Sequence, residues 1–158
     1  MNYLSMSTNS KVAGNIIKIL ADLPDFLRKS MLRSKLQEFY LMEEPDKHET
    51  ISLALNAAST IEGSTLSVLM KTWMEVLSEF DGVRITNMIR IYCEEILMNP
   101  RAIENLNMES LIDGFCSIED KQSEKLADCL KEVILSFPKR YELLKIIPEP
   151  ALKILKIE

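Results

Sequence analysis

The sequence has little of what sheet-rich, disulfide-bonded or metal-binding proteins require. Its 158 residues include four glycines, one histidine and three cysteines. Scarce glycine leaves few positions suited to tight turns and bulges. Leu, Ile, Met, Lys and Glu are abundant, and these residues favour helices. We therefore expect an all-α fold, in one domain of a usual size.

The three cysteines, Cys93, Cys116 and Cys129, are odd in number and show no Cys-x-x-Cys spacing. This pattern predicts reduced thiols that pack as small apolar side chains, and it disfavours a disulfide framework or a zinc site. The first ten residues lack the basic and apolar regions of a signal peptide. Lys and Glu interrupt every apolar stretch before the ~18 to 20 residues that span a bilayer. We expect a cytoplasmic protein without a membrane segment.

No part of the chain is strongly basic, and the formal net charge is −5. This balance disfavours nucleic acid as the main partner. Basic side chains concentrate only at Arg28, Lys29, Arg33 and Lys35. Four cations form a smaller surface than nucleic-acid binding usually needs, so we interpret them as a solvated helix face. Weak phosphate or nucleic-acid contact through these four residues is the alternative hypothesis.

Apolar periodicity, capping residues and prolines predict about eight to ten helices. Capping boxes are expected at Asp46 and Ser117, and Gly63 and Gly114 are expected to end helices. Residues 1–9 and about 150–158 are expected to be loosely ordered, and the tail could form a helical turn or an edge strand. The predicted helices span about residues 11–21, 24–44, 47–62, 65–80, 83–98, 101–106, 108–114, 118–137 and 139–146.

Three of the predicted helix starts recur at a regular distance. Asp46, Asp81 and Ser117 are 35 and 36 residues apart, which lies in the range of helical repeats that stack into solenoids. The residues of the three segments do not superpose well, however. The spacing therefore fits either stacked antiparallel hairpins or simply the ordinary length of a helical hairpin.

The strongest amphipathic pattern lies in the predicted helix 65–80, with Trp73 at its centre. We expect Trp73 to be buried, and Trp73→Ala to cost roughly 3 to 5 kcal/mol of stability. Apolar residues off the main stripes, namely Met74, Ile91 and Met98, exceed what one core-facing arc requires. They suggest a surface covered by a partner, and we expect a homo-oligomer, with a two-fold dimer as the default.

No constellation for catalysis is evident in the sequence. His48 is the only histidine, and we interpret it as an exposed residue in a first helical turn, not sharing a helix face with Glu44. Glu75 with Glu79, and Glu94 with Glu95, are interpreted as solvated carboxylates. Phosphate-binding glycine loops and nucleophile motifs are absent from the sequence. No catalytic, cofactor-binding or metal-binding residue, and no cofactor, is predicted.

Binding to another protein is the function that remains by elimination. We expect a non-catalytic helical interaction or scaffold domain that presents a groove to its partner. The alternative is an enzyme whose site uses dispersed acidic or tyrosine groups, or is completed by a second subunit.

Overall fold

The computed structural model describes residues 15–157, and this part of the chain forms ten helices and no strand, which confirms the predicted all-α bundle. The first helix, α1, covers residues 15–22 of the described part. The others are α2 (Asp25–Tyr40), α3 (Glu44–Ala58), α4 (Gly63–Ser78), α5 (Gly82–Met98), α6 (Arg101–Glu104), α7 (Met108–Ser117), α8 (Asp120–Ser136), α9 (Arg140–Ile146) and α10 (Glu149–Ile154).

Three helical hairpins stack on one another to form two layers. The first layer consists of α2, α4 and α7, in which α4 contacts both of the others. The second consists of α3, α5 and α8, in which α5 contacts both of the others. The hairpins are α2–α3, α4–α5 and α7–α8. The first helix of each hairpin packs on the first helix of the next, and the second helix packs on the second helix of the next, as in helical solenoids. The short helix α9 packs on α8 and α5 at the end of the second layer.

The regular spacing in the sequence reflects this stacking. The second-layer helices begin at Glu44, Gly82 and Asp120, exactly one hairpin of 38 residues apart. The predicted starts at Asp46, Asp81 and Ser117 fall within three residues of these positions. The sequence pattern therefore located each hairpin. Asp81 is the N-cap of α5, where its side chain accepts a hydrogen bond from the Arg84 backbone N–H, whereas Asp46 and Ser117 are not the capping residues of their helices.

Several predicted helix ends are wrong. α2 ends at Tyr40, four residues early, and α3 begins at Glu44 with Pro45 in its first turn, where proline needs no backbone N–H. No capping box forms at Asp46. Gly63 does not close a helix either: it lies in the first turn of α4, and none of the described glycines has a positive φ.

α7 does not stop at Gly114 but continues to Ser117. Gly114 allows α7 to lie against the backbone of α4, since a Cβ there would come within 3.0 Å of the Met70 Cβ and 3.2 Å of the Ser67 carbonyl oxygen. Serine at 117 is not a cap, because the capping box of α8 pairs Glu119 with Gln122. Packing of α7 on α4 within the first layer thus accounts for Gly114, whereas the local pair of Glu119 and Gln122 sets the start of α8.

The core is continuous across the stacked hairpins, and Trp73 is less buried than expected. Trp73 and Tyr92 are only partly buried, while Ile91 is fully buried. Cys93 and Cys129 are buried free thiols as predicted, but Cys116 is exposed, which corrects that prediction.

The tail after Pro148 forms the helix α10, whose following residue Leu155 is buried. Of the two outcomes considered for this tail, the helical one is confirmed, because residues 149–154 are helical and residues 155–156 form a turn. The loose order expected of residues 150–158 stays a prediction. Residues 1–9, expected to be loosely ordered, lie outside the described residues.

Candidate interaction groove

A groove runs along the outer face of the second layer. One wall is a stripe of α5 that begins at Val83 and ends at Met98. These residues lie 15 positions apart, which corresponds to about 22 Å of helix. The groove has a volume of about 830 Å³. The α5 residues that line it recur at helical spacing: Val83, Thr86, Asn87, Arg90, Glu94, Leu97 and Met98.

The opposite wall is formed by the end of α8 and the segment that leads into α9. Val133 and Phe137 supply its apolar surface, and Glu132, Lys139 and Glu142 supply its charges. Glu132 and Glu142 are exposed. Neither carboxylate forms an ion pair with another of the described residues. The groove therefore combines an apolar floor with a charged rim, in which the two carboxylates of Glu132 and Glu142 outnumber the one ammonium of Lys139.

Val83 and Met98 leave large apolar surfaces at the two ends of the groove. Val83 is 78% exposed and Met98 is 77% exposed. Most large apolar side chains of the second layer are covered by neighbouring helices, so this exposure at both ends of one stripe is distinctive. A surface of this kind, apolar with a polar rim, is typical of interaction sites.

His48 joins α3 to α5 beside this groove. Its Nδ1 atom lies 2.8 Å from Glu95 Oε1, and its Nε2 atom lies 3.1 Å from Glu94 Oε2. Carboxylate oxygens accept hydrogen bonds, so both contacts are satisfied when both ring nitrogens carry a proton. His48 is thus a partly buried bridge between two helices, and the prediction of an exposed residue is wrong.

Arg90 of α5 forms a second link between α3 and α5. It contacts Glu44 at 2.8 Å and Glu94 at 2.5 Å, so Glu94 is not merely a solvated carboxylate. The hydrogen bond from Arg90 is the main cause that lowers the pKa of Glu44. Glu44 and His48 lie one turn apart on α3 and both face α5, so the inference that they do not share a helix face is also wrong.

Asn87 contributes an unpaired acceptor to this wall of the groove. Its Oδ1 atom is buried, and no described residue donates a hydrogen bond to it. Buried carbonyl oxygens normally have a donor. This unpaired acceptor lies inside the wall and is not exposed to the groove.

His48 lines the groove, and both of its ring nitrogens contact carboxylate oxygens, Nε2 that of Glu94 and Nδ1 that of Glu95. Among the described residues, no group of three or more His, Cys, Asp or Glu is placed to hold a metal ion.

The four basic residues singled out in the sequence lie on α2, and each has a partner. Arg28 is only 4% exposed, and its guanidinium donates to the carbonyl oxygens of Leu20 at 2.9 Å and Ala21 at 3.1 Å. It holds the end of α1 and is not part of a surface patch.

The other three cations form ion pairs. Lys29 lies 3.4 Å from Glu75, and Arg33 contacts Glu79 through two hydrogen bonds of 2.9 and 2.7 Å. Lys35 lies 3.4 Å from Glu38. The pairs with α4 connect the first two hairpins, so Glu75 and Glu79 are not merely solvated. Phosphate contact through these residues stays a prediction.

The three residues suggested as an interface lie in different environments. Met98 is exposed in the groove, Met74 is partly buried against the core, and Ile91 is completely buried. Helices of the same chain cover Ile91, because α5 is central in its layer and packs on both α3 and α8. Ile91 is therefore removed from the candidate interface.

Sequence reasoning missed most of the groove. The second stripe of α5, with Val83, Asn87 and Leu97, could have been found from its helical spacing. Its partner wall could not, because nothing in the sequence indicates that residues 132–142 lie beside α5.

None of the described helices is long and apolar enough to cross a membrane. Comparison of the chain with protein-family models, with curated proteins and with solved structures finds no match. The geometry of the site is therefore the basis for a functional proposal.

Proposed function

We propose that this protein is a non-catalytic interaction module that binds an amphipathic helix of another protein in the groove between α5 and the α8–α9 segment. The observation that carries this proposal is the exposure of Val83 and Met98 at the two ends of one groove-lining stripe. The stripe extends for about four helical turns, so a partner helix of similar length fits along it. Helix-in-groove binding uses apolar anchors at this kind of spacing.

The charges of the rim define the partner further. Glu132 and Glu142 are exposed and form no ion pair with a described residue, although Lys139 lies on the same wall of the groove. A partner helix that carries Lys or Arg beside its apolar anchors would pair with them. Such rim charges act mainly on the rate and specificity of association.

Self-association through the same surface is part of the proposal. Met98, one of the residues first suggested by the sequence, is exposed at one end of the groove. A second copy that covers Met98 would form a two-fold dimer, the commonest symmetric assembly. Light scattering over a hundredfold dilution tests this: a dimer has twice the chain mass of 18.1 kDa, and a mass that stays at 18.1 kDa excludes it.

We also propose a cytoplasmic location. Cys93, Cys116 and Cys129 are all free thiols, and no two of them form a disulfide. Free thiols persist most readily in a reducing compartment. Fractionation of the source cells tests this proposal, and recovery of the protein outside the cytoplasm contradicts it.

The test of the groove compares three proteins as baits in an extract of the source cells. The first is the wild type, the second is Val83→Glu with Met98→Glu, and the third is Phe26→Glu. Phe26 is 72% exposed on α2 and does not line the groove, so its variant makes the same kind of surface change elsewhere. All three substituted residues are exposed, so the fold should tolerate each change.

We expect a specific protein to be retained by the wild type and by Phe26→Glu, and reduced at least about tenfold by the groove variant, because charges placed on apolar anchors oppose binding. A synthetic helix from that protein should then bind the wild type and not the groove variant. Equal retention of every protein by all three baits contradicts the proposal.

A further inference from the structure

A second cavity lies between the two helical layers and uses a different face of α5 from the groove. It has a volume of about 350 Å³. Helices α1 to α7 all contribute to its walls. Every lining side chain lacks nitrogen and oxygen except those of Lys35, Thr50, Trp73 and Tyr92. The cavity is therefore almost entirely apolar.

The aromatic side chains of Trp73 and Tyr92 border this cavity. Their rings meet edge to face, with centroids 5.6 Å apart. Burial raises the pKa of the Tyr92 hydroxyl. Trp73 and Tyr92 are nevertheless only partly buried, and both side chains line the cavity. No described residue exchanges a hydrogen bond with the Tyr92 hydroxyl, although buried tyrosines usually have such a partner.

The cavity opens to solvent beside Lys35, whose side chain is 51% exposed. A water molecule needs about two to four polar partners, and the walls of this cavity supply few. The cavity is more than twice the size of an engineered apolar cavity of about 150 Å³ that binds small apolar molecules. An apolar occupant is therefore expected.

We propose that the occupant is a fatty acid, with its chain in the cavity and its carboxylate at Lys35. Lys35 is the only charged residue among the described residues that line the cavity. Its side chain is 51% exposed, so its ammonium lies at the opening while its stem lines the wall. Its present partner, Glu38, is 57% exposed and 3.4 Å away. Exposed pairs of this kind are weak, so a ligand carboxylate can replace Glu38.

The flexible lining suits a flexible chain. Met70, Met88 and Met108 all line the cavity. Methionine is unbranched and adjusts to irregular apolar shapes. The site is separate from the groove, so fatty-acid binding and partner binding can be tested independently.

The test uses Trp73, the only tryptophan in the chain, as an internal reporter. The full-length protein is titrated with dodecanoate below its micelle concentration while tryptophan emission is recorded. We expect a saturable change with one ligand per chain. Ala54→Phe places a ring in the cavity and should abolish the change. Asn56→Phe adds the same ring to an exposed position on α3 and should leave it intact.

The charge is tested separately, with variants that leave the apolar lining residues unchanged. Lys35→Gln should weaken dodecanoate binding by up to about fivefold, the usual range for an exposed ion pair. Lys29→Gln removes a charge from the same helix outside the cavity lining and should have no effect. Dodecanol should bind more weakly than dodecanoate to the wild type. Equal affinity for the two ligands overturns the assignment of a carboxylate, even if Ala54→Phe fails to fold.

Photo-crosslinking identifies any other occupant. A diazirine analogue of methionine at Met108, which lines the cavity, should crosslink to added dodecanoate. A crosslink to residues 1–14 or to a second copy that dodecanoate does not displace overturns the proposal. Unchanged Trp73 emission throughout the titration also overturns it.

Discussion

Gly114 of α7 lies so close to Met70 of α4 that a Cβ on Gly114 would be 3.0 Å from the Met70 Cβ. The same Cβ would be 3.1 Å from the backbone nitrogen of Lys71, and a backbone atom cannot move aside as a flexible side chain can. Gly114→Ala should therefore push α7 away from α4. Overpacking costs about 1–3 kcal/mol and outweighs the gain of about 1 kcal/mol from alanine in a helix. We expect a net loss of about 1 kcal/mol in urea unfolding.

Gly82 provides the matched control for Gly114. It lies at the start of α5, and a Cβ there would meet nothing within 4 Å. Gly82→Ala should stabilise the protein by about 0.4–1 kcal/mol, because alanine restricts the unfolded chain. Changes of the same sign in the two variants would contradict the close contact between α7 and α4.

Arg28 is a structural residue, and lysine should not replace it. Its planar guanidinium donates to several carbonyl oxygens at the end of α1 while it is only 4% exposed. Lysine lacks this fork of donors. Arg28→Lys should lower the free energy of unfolding by about 2–4 kcal/mol, because buried acceptors lose charged donors. The exposed control Arg84→Lys should change it by less than about 0.5 kcal/mol. Similar midpoints of urea unfolding for the two variants would disprove this role.

The ion pairs between hairpins should make stability depend on acid pH. Hydrogen bonds from Arg90 and Arg33 lower the pKa of Glu44 and of Glu79 below the ordinary value of 4.5. The charged carboxylates are favoured by folding, so their contribution is complete above pH 4.5 and is lost as the pH falls further through the lower folded pKa. Urea unfolding between pH 7 and pH 3 measures this loss.

Glu79→Gln should flatten this pH dependence, since it removes one of the two groups. Glu124→Gln, an exposed glutamate without an ion pair to a described residue, should leave the dependence unchanged. An unchanged slope in Glu79→Gln would mean that its pair with Arg33 does not form in solution.

The three thiols should react in a defined order. Cys116 is exposed, whereas burial raises the pKa of Cys93 to about 12 and also raises the pKa of Cys129. Because the thiolate is the reactive form, alkylation of the native protein at pH 8 should add one group, at Cys116. Mass spectrometry should show three groups after denaturation and none on native Cys116→Ser over the same time. Rapid native modification of Cys93 would contradict its burial.

Local sequence was sufficient for the helices and their order. Scarce glycine, prolines between apolar stripes and the spacing of Asp46, Asp81 and Ser117 predicted an all-α chain with hairpin periodicity, and the structure confirms the all-α fold. Helix ends were less predictable. Gly114 could be interpreted as a helix stop because its packing against α4 involves residues more than 40 positions earlier.

The candidate site was the least predictable feature. The sequence identifies Met98 and His48 as unusual residues, yet it assigns His48 to solvent. The contacts of His48 with Glu94 and Glu95 connect residues that are 46 and 47 positions apart. Only the register between two stacked hairpins brings them together.

The sequence by itself determined that this protein is helical, since propensity and apolar periodicity act within a few turns of chain. Only the tertiary structure decided which faces remain open. Ile91 and Met98 are both apolar, so side-chain type does not decide which of them is exposed. That depends on which helices pack on α5. The groove and the apolar cavity are gaps left between packed helices, and a gap has no local signal because its walls come from distant parts of the chain.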